Sequence, residues 1–265
     1  MARTSCLALL LLLQTGVARA TPSVEDLTRA IADYDAHAVL PLPELTREQV
    51  EDLRSGDVIR VLDDPGSGPK RATGLVLVPI ERRRLWVAAQ DLHYLQDERL
   101  TEYFLGWLPP AGKRWYGLID LPRPFSDRHW VVDVHDNHAL ANSTGNQSWE
   151  HHWAGTENPQ ALSLSLARTG ELGLDLDTYE DAVWMGSNRG AWLAIALDEN
   201  HTVLGYHAQI ELAGWVPPAG YLAWVRAGLD DLLLGVVERS AQVDSHYTQG
   251  HDPIVGANGE TLPTW

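Results

Sequence analysis

Apolar positions recur along this chain with two different periods, and the changes of period divide it into regions. Val24, Leu27 and Ile31 follow Ser23 at helical spacing, with Glu25 and Asp26 in the first turn. That pattern predicts a short capped helix, ended by Pro41 and Pro43. Thr46-Arg47-Glu48-Gln49 is a capping box for a second short helix that stops at Gly56. From Asp57 the period shortens towards two. Strands are predicted over 58–62 and 74–80, joined as a hairpin by Asp64-Pro65-Gly66-Ser67-Gly68. Glu81 to about Gln90 reads as a helix with Leu85, Trp86 and Ala89 on one side. Further strands are predicted over 102–108, 114–120, 128–135, 147–153, 161–167, 179–185, 190–197 and 201–211. Pro109-Pro110-Ala111-Gly112, Asn188-Arg189-Gly190 and Asp198-Glu199-Asn200 supply turns between them. In the strand after Arg128, Trp130, Val132 and Val134 point one way, and Val131, Asp133 and His135 the other, as in a sheet with one dry face. Strands at such regular spacing predict antiparallel meanders rather than βαβ units.

The period changes again after Val216-Pro217-Pro218. Residues 219–241 predict one helix about 34 Å long, with Tyr221, Leu222, Val225, Leu229, Leu232, Leu233, Val236 and Val237 along one stripe. No other element offers so much apolar surface, so this helix is expected to lie against the sheet. Residues 243–265 are polar with Gly and Pro, and are expected to be irregular or mobile.

The first 20 residues carry one early positive charge at Arg3, an apolar run Leu7–Leu13 and the small-x-small sequence Ala18-Arg19-Ala20. This is the pattern of a secretory signal peptide cleaved after Ala20, and the apolar run is too short to span a bilayer. A secreted or periplasmic location follows as an expectation. Cys6, the one cysteine, would leave with the leader, so the remaining 245 residues must be held by their core without disulfides or thiol chemistry. Losing Arg3 and Arg19 takes the net charge from −16 to −18, which argues against nucleic acid and anionic membrane surfaces as partners. No later segment is long and apolar enough to span a membrane. The 11 Trp suit both cores and ligand cavities.

Four stretches resemble the StAR-related lipid-transfer (START) superfamily, also called SRPBCC or polyketide-cyclase-like. Gly74-Leu75-Val76-Leu77-Val78-Pro79 with Leu85-Trp86 and Asp91 is similar to the opening strand and helix. Pro124-Phe125-Ser126-Asp127-Arg128-His129-Trp130-Val131 is similar to the P-F-x-x-R-D segment, with His129 in place of the acid. Gly190-Ala191-Trp192 and Thr202-Val203-Leu204-Gly205-Tyr206 look like the late hairpin. Ala213-Gly214-Trp215-Val216-Pro217 looks like the Gly-Gly-x-x-Pro turn, with Ala213 for the first Gly. The likeness covers roughly 57–242. It implies an α+β helix-grip fold, a curved antiparallel sheet wrapped around a long C-terminal helix, with a lipid or other hydrophobic molecule between them. The expected organisation is a leader 1–20, a helical extension 21–56, a START-like ligand-binding domain 57–242 and a tail 243–265.

A cavity for such a ligand would be lined by Trp86, Arg128, Trp130, Val132, Val134, Leu204, Tyr206, Ala208, Ile210, Trp215, Val225, Leu229, Leu232 and Leu233. The same residues also fit a close-packed core without a cavity. Arg128 beside Asp127 fits either a head-group anchor or a structural ion pair. His135, His138, His151 and His152 with Asp133, Asp136 and Glu150 match no metal-ligand spacing, so neither a metal nor a cofactor is expected. There is no G-x-S-x-G elbow and no phosphate-cradling loop. Asn142, Asn146 and Asn200 begin glycosylation sequons, relevant only where the host glycosylates exported proteins. Three functions stay open: an exported binder or carrier of a hydrophobic ligand, lipid first; a non-metal enzyme of the same fold (cyclase, dehydratase or hydrolase) using His129, Asp133 or His207; and a cell-envelope interaction module with a filled groove. The sequence does not set the oligomeric state.

Overall fold

The computed structural model describes residues 21–64, 66, 68–91, 99–123, 125–214 and 218–265, and only the backbone of 218–227. The expected leader, Trp215, the motif residue Pro124 and the turn residues Pro65 and Ser67 lie outside the described residues, as do the side chains of Tyr221, Leu222 and Val225.

The elements in chain order are α1 (Val24–Asp35), α2 (Arg47–Arg54), β1 (Ile59–Asp63), β2 (Arg71–Val78), α3 (Arg82–Gln90), β3 (Leu100–Leu108), β4 (Gly112–Ile119), β5 (Arg128–Asp136), α4 (His138–Ser143), β6 (Ser148–Gly155), α5 (Pro159–Thr169), α6 (Leu176–Asp181), β7 (Val183–Trp184), β8 (Ser187–Ala196), β9 (Thr202–Glu211), α7 (Pro218–Ser240) and α8 (Val243–His246). The strands form one curved nine-stranded sheet in the order β1-β2-β9-β8-β6-β5-β4-β3. All pairs on that path are antiparallel, and the two-residue β7 pairs with β5 in parallel. Hairpins explain most neighbours, and the β2–β9 pair joins an early strand to the last one. This is an α+β helix-grip fold.

Register divides the side chains between two faces. On the inner face Val76 and Val78 of β2, Leu204 of β9, Ala194 of β8 and Trp149 of β6 pack with α3, α7 and the tail in one core cluster. Helix α7 lies on β2 and β9 and beside α3. Gly74 makes that contact possible, because a Cβ there would stand 2.9 Å from Leu233 and 3.4 Å from Leu229. Leu229, Leu233 and Val236 are buried, each contributing about 1.5–3 kcal/mol. Arg60 of β1 forms an ion pair with Asp230 on the flank of the helix.

Two helical layers cover the outer face. Leu75, Leu77, Leu193, Ile195 and Val203 pack against Leu27, Ile31 and Tyr34 of α1 and Val50 and Leu53 of α2. Ser23 caps α1 as expected and adds a capping box with Asp26, and Thr46 forms the expected capping box with Gln49. The segment after α1 is fastened by Glu150 of β6, which accepts hydrogen bonds from Tyr34 Oη (3.1 Å), Val39 N (2.9 Å), Leu40 N (3.1 Å) and Asn137 Nδ2 (2.6 Å). The helical extension therefore shares a core with the sheet.

The second outer layer departs from expectation. Residues 161–167 form helix α5 rather than a strand, and 179–185 form the end of α6 and the short β7. Leu162, Leu164 and Leu166 alternate with Ser163 and Ser165, which imitates a strand. Pro159 in the first turn and Gly170 as left-handed C-cap mark a helix instead. Ser163 and Ala167, four apart, are its buried face. α5 and α6 cover Tyr116, Leu118 and Val131. The tail is irregular after α8 but not loose. Val243, Tyr247, Ala257 and Leu262 are buried in the inner core, and Tyr247 Oη both donates to Leu262 O and accepts from Ile254 N.

Candidate site on the inner face of the sheet

The inner face is solid at one end and rich in aromatic side chains at the other. Where α3 and α7 cover it, Leu204, Leu233 and Val236 are fully enclosed. Trp86, expected in the cavity, belongs to this closed region. Its indole N–H donates to Val255 O (3.1 Å), and its ring meets Trp149 edge-on at 5.1 Å. The tail fills the space around it.

Farther along, Trp115 of β4, Trp130 of β5, Trp153 of β6, Trp192 of β8 and Tyr206 of β9 share the inner face, and each is only half-buried. Tyr206 connects two indoles, with ring centroids 4.8 Å from Trp192 and 5.5 Å from Trp153. Two glycines let the indoles lie close to the sheet. Gly117 stands opposite Trp130 and Gly190 opposite Trp153, and a Cβ on either glycine would come within 2.4 Å of the ring. Val132, Val134 and Ala208 are buried between them, and Ile210 is half-buried at the end of β9. Trp153 Nε1 donates to Asn188 Oδ1 (2.9 Å) at this end of the face.

The structure thus brings together Trp130, Val132, Val134, Leu204, Tyr206, Ala208 and Ile210 on one face, with Leu229 and Leu233 packed over its β2 end. Leu232 is half-buried. Trp153 and Trp192 share this face without having been expected there. Their signal is the phase of their strands, since each lies in register with a residue assigned to the face, Trp153 with Val134 and Trp192 with Tyr206.

A pocket of about 280 Å³ opens where the sheet divides. β5 leaves β6 after the Val132–Gly155 pair, and Arg128 and His129 pair with β7 instead. The gap is lined from the inner side by Trp130, Gly155 and Asn188, and from the outer side by Val131, Ala154 and Arg189. Its volume falls just below the roughly 300–1,000 Å³ of ordinary ligand pockets.

Arg128 corrects both readings made of it. It is 2% exposed, and its guanidinium donates to the backbone carbonyls of Ser126, Asp127, Leu212 and Ala213. The Asp127 carboxylate instead accepts from Leu121 N. Arg128 therefore fastens the turn leading to α7, satisfying a buried charge with carbonyl oxygens. Burial pulls its pKa below the usual value, against the pull of the nearby Asp127 charge.

The titratable candidates for catalysis do not converge on the inner face. His129 is buried on the outer face, stacked on Trp184 at 3.6 Å with Tyr116 Oη 3.2 Å from Nδ1. Burial lowers its pKa to about 4. Asp133 is paired with Arg114 through two bonds of 2.6 and 2.8 Å on that same outer face. His207 is fully buried beneath β9, with its pKa lowered to about 3 chiefly by burial. The other histidines are dispersed too: His135 stacks on His152 on the outer face, His151 pairs with Asp136 on the inner one, and His138 contacts Ala257 O.

Comparison with known proteins finds no matching family model and no matching curated sequence. Solved structures do match. Human STARD10 is 11% identical, covers 77% of this chain and 84% of its own, and superposes with a TM-score of 0.50. Human StAR-related lipid transfer protein 5 is 12% identical over 83% of this chain and 97% of its own, with a TM-score of 0.49. The human StarD13 lipid transfer and protein localization domain is 14% identical over 75% and 98%, with a TM-score of 0.48. The chain has a START-type fold. Among the described residues no helix is long and apolar enough to cross a membrane.

Proposed function

We propose that this protein binds or carries a hydrophobic molecule, with lipid the first candidate, on the inner face of the sheet that also carries α7. One observation carries the reading: Trp115, Trp130, Trp153, Trp192 and Tyr206 share that face and remain half-buried, although the rest of the same face is closed by α3, α7 and the tail. Large apolar rings left partly accessible favour an apolar occupant, because covering them removes surface from water at about 25 cal/mol per Å². The START-type fold supports the same reading. No covalent chemistry is needed. Shielding the apolar surface of the cargo is the whole mechanism.

The test is extraction of the purified protein with organic solvent and mass spectrometry of the extract, followed by titration of stripped protein with a fluorescent fatty acid while following Trp emission. A retained hydrophobic molecule, or saturable uptake near one per chain, is the expected result. A folded protein that neither retains nor takes up any such molecule would overturn the reading and favour a filled groove.

Export belongs to the same proposal. The run Leu7–Leu13 and the Ala18-Arg19-Ala20 site support a leader removed after Ala20. The mature protein in a periplasmic extract or culture supernatant should begin at Thr21; an intact chain confined to the cytosol would contradict it.

A further inference from the structure

We propose that Asp91, His246 and His251 form a binding site for a divalent cation of the zinc type, which fastens the C-terminal tail to the end of α3. The three side chains meet beside the inner core, apart from the aromatic face. Their ligand atoms all lie within 4.8 Å of one another. His246 Nδ1 is 2.9 Å and His251 Nε2 3.1 Å from the same oxygen, Asp91 Oδ2.

Three features of Asp91 call for a cation. Its residue is 2% exposed, and an anion so deeply buried is costly without compensation. It is the C-cap of α3, where the helix dipole opposes negative charge. Neither carboxylate oxygen accepts a hydrogen bond of acceptable angle from the described residues, although two imidazole nitrogens stand against one of them.

The orientation of His251 sharpens the case. Its Nδ1 lies 2.7 Å from Asp252 O. A carbonyl only accepts, so that nitrogen carries a proton, which leaves Nε2, 3.1 Å from Asp91 Oδ2, as the ring atom turned towards the carboxylate and placed to ligate a cation beside it. A ring N–H given to a backbone carbonyl is also the usual arrangement behind a metal-bound histidine. Two imidazoles and one carboxylate are a donor set suited to zinc, with a fourth position for water. Bond lengths near 2.0–2.1 Å place tetrahedral ligand atoms roughly 3.3 Å apart, within a few tenths of an ångström of the 2.9 and 3.1 Å that separate the two ring nitrogens from Asp91 Oδ2. The tail is already built to hold the two histidines. Tyr247, fully buried between them in sequence, meets the His251 ring edge-on at 4.9 Å and accepts Trp265 N on its carbonyl.

The test uses the full chain as isolated from cells, stripped with a chelator and then dialysed against zinc chloride. Wild type should hold about one zinc per chain by elemental analysis and melt at a higher temperature with zinc than without. Cobalt(II) in its place should show the visible absorption of a four-coordinate site. His251→Gln and Asp91→Asn should each lower the bound metal at least tenfold, in line with the loss of a ligand. His251→Gln keeps the test usable if Asp91→Asn does not fold. His135→Gln should leave binding unchanged. A wild type that takes up no zinc and melts identically with and without it overturns the site. So does metal retained by both His251→Gln and Asp91→Asn, or metal lost in His135→Gln.

Discussion

Trp130 lies across Gly117, its register partner on the adjacent strand, so closely that a single added methyl group would stand 2.4 Å from its indole. The glycine is there for space: its φ is not among the positive ones, and only the missing side chain lets the ring lie down. Gly117→Ala should therefore lift Trp130 off the sheet and rearrange the aromatic face without touching α7. The expected stability loss is about 1–3 kcal/mol by denaturant titration, as for other overpacked sites. Uptake of a fluorescent fatty acid should weaken more than stability does. Unchanged uptake with displaced Trp emission would separate Trp130 from the ligand.

Gly74 tests the opposite end of the groove, where the helix is meant to pack without a gap. Gly74→Ala pushes a Cβ to 2.9 Å from Leu233 and should cost about 1–3 kcal/mol. Leu233→Ala removes a fully buried side chain from the same contact and should cost about 2–5 kcal/mol. The double variant should recover part of the loss, because the smaller side chain at 233 makes room for the methyl group at 74. Strict additivity in urea melts would show that the two residues do not meet.

Much of this arrangement was legible in the sequence, because local rules and burial agree over most of the chain. Ser23 as N-cap and Thr46 with its capping box begin the helices predicted from them, and the stripe of α7 is buried at Leu229, Leu233 and Val236. Alternation along β5 assigned the inner face correctly at Trp130, Val132 and Val134. It failed in α5, where Leu-Ser alternation is half-buried against β5 from a helix, and packing rather than period decides the element. Arg128 was misjudged because its partners are all backbone carbonyls, two of them 84 and 85 residues away, which no spacing reveals. The burial of the tail escaped for a related reason. Tyr247, Ala257 and Leu262 are isolated among polar residues, and only the fold brings them to one core.

The helical extension should come loose if its clamp is cut. Glu150 is the common acceptor for Tyr34 Oη, two backbone N–H groups and Asn137. Burial first, and then the Glu150 charge, push the Tyr34 hydroxyl well above its usual pKa, so Tyr34 remains a donor. Glu150→Gln turns one of the two acceptor oxygens into an NH₂ group facing other donors. The expected cost is about 2–4 kcal/mol, from buried N–H groups left without partners. Hydrogen exchange should rise at Val39 and Leu40 before it rises in β9. Uniform protection across both segments would mean that the extension is held by its apolar face alone.

Acid should destabilise the protein through two buried histidines. Burial lowers the pKa of His129 to about 4 and that of His207 to about 3 in the fold, whereas an unfolded histidine titrates near 6.5. Between those values the unfolded chain binds more protons than the folded one, so stability falls as pH falls. The contribution of each neutral ring is complete above about pH 6.5 and declines on acidification towards pH 4 for His129 and pH 3 for His207. Urea midpoints measured from pH 8 to pH 4 should be flat at the upper end and then drop. His207→Asn should flatten part of that drop while lowering stability at pH 8, because its packing beneath β9 is imperfect. An unaltered pH profile in His207→Asn would show that its imidazole is already charged, or exposed, in the folded protein.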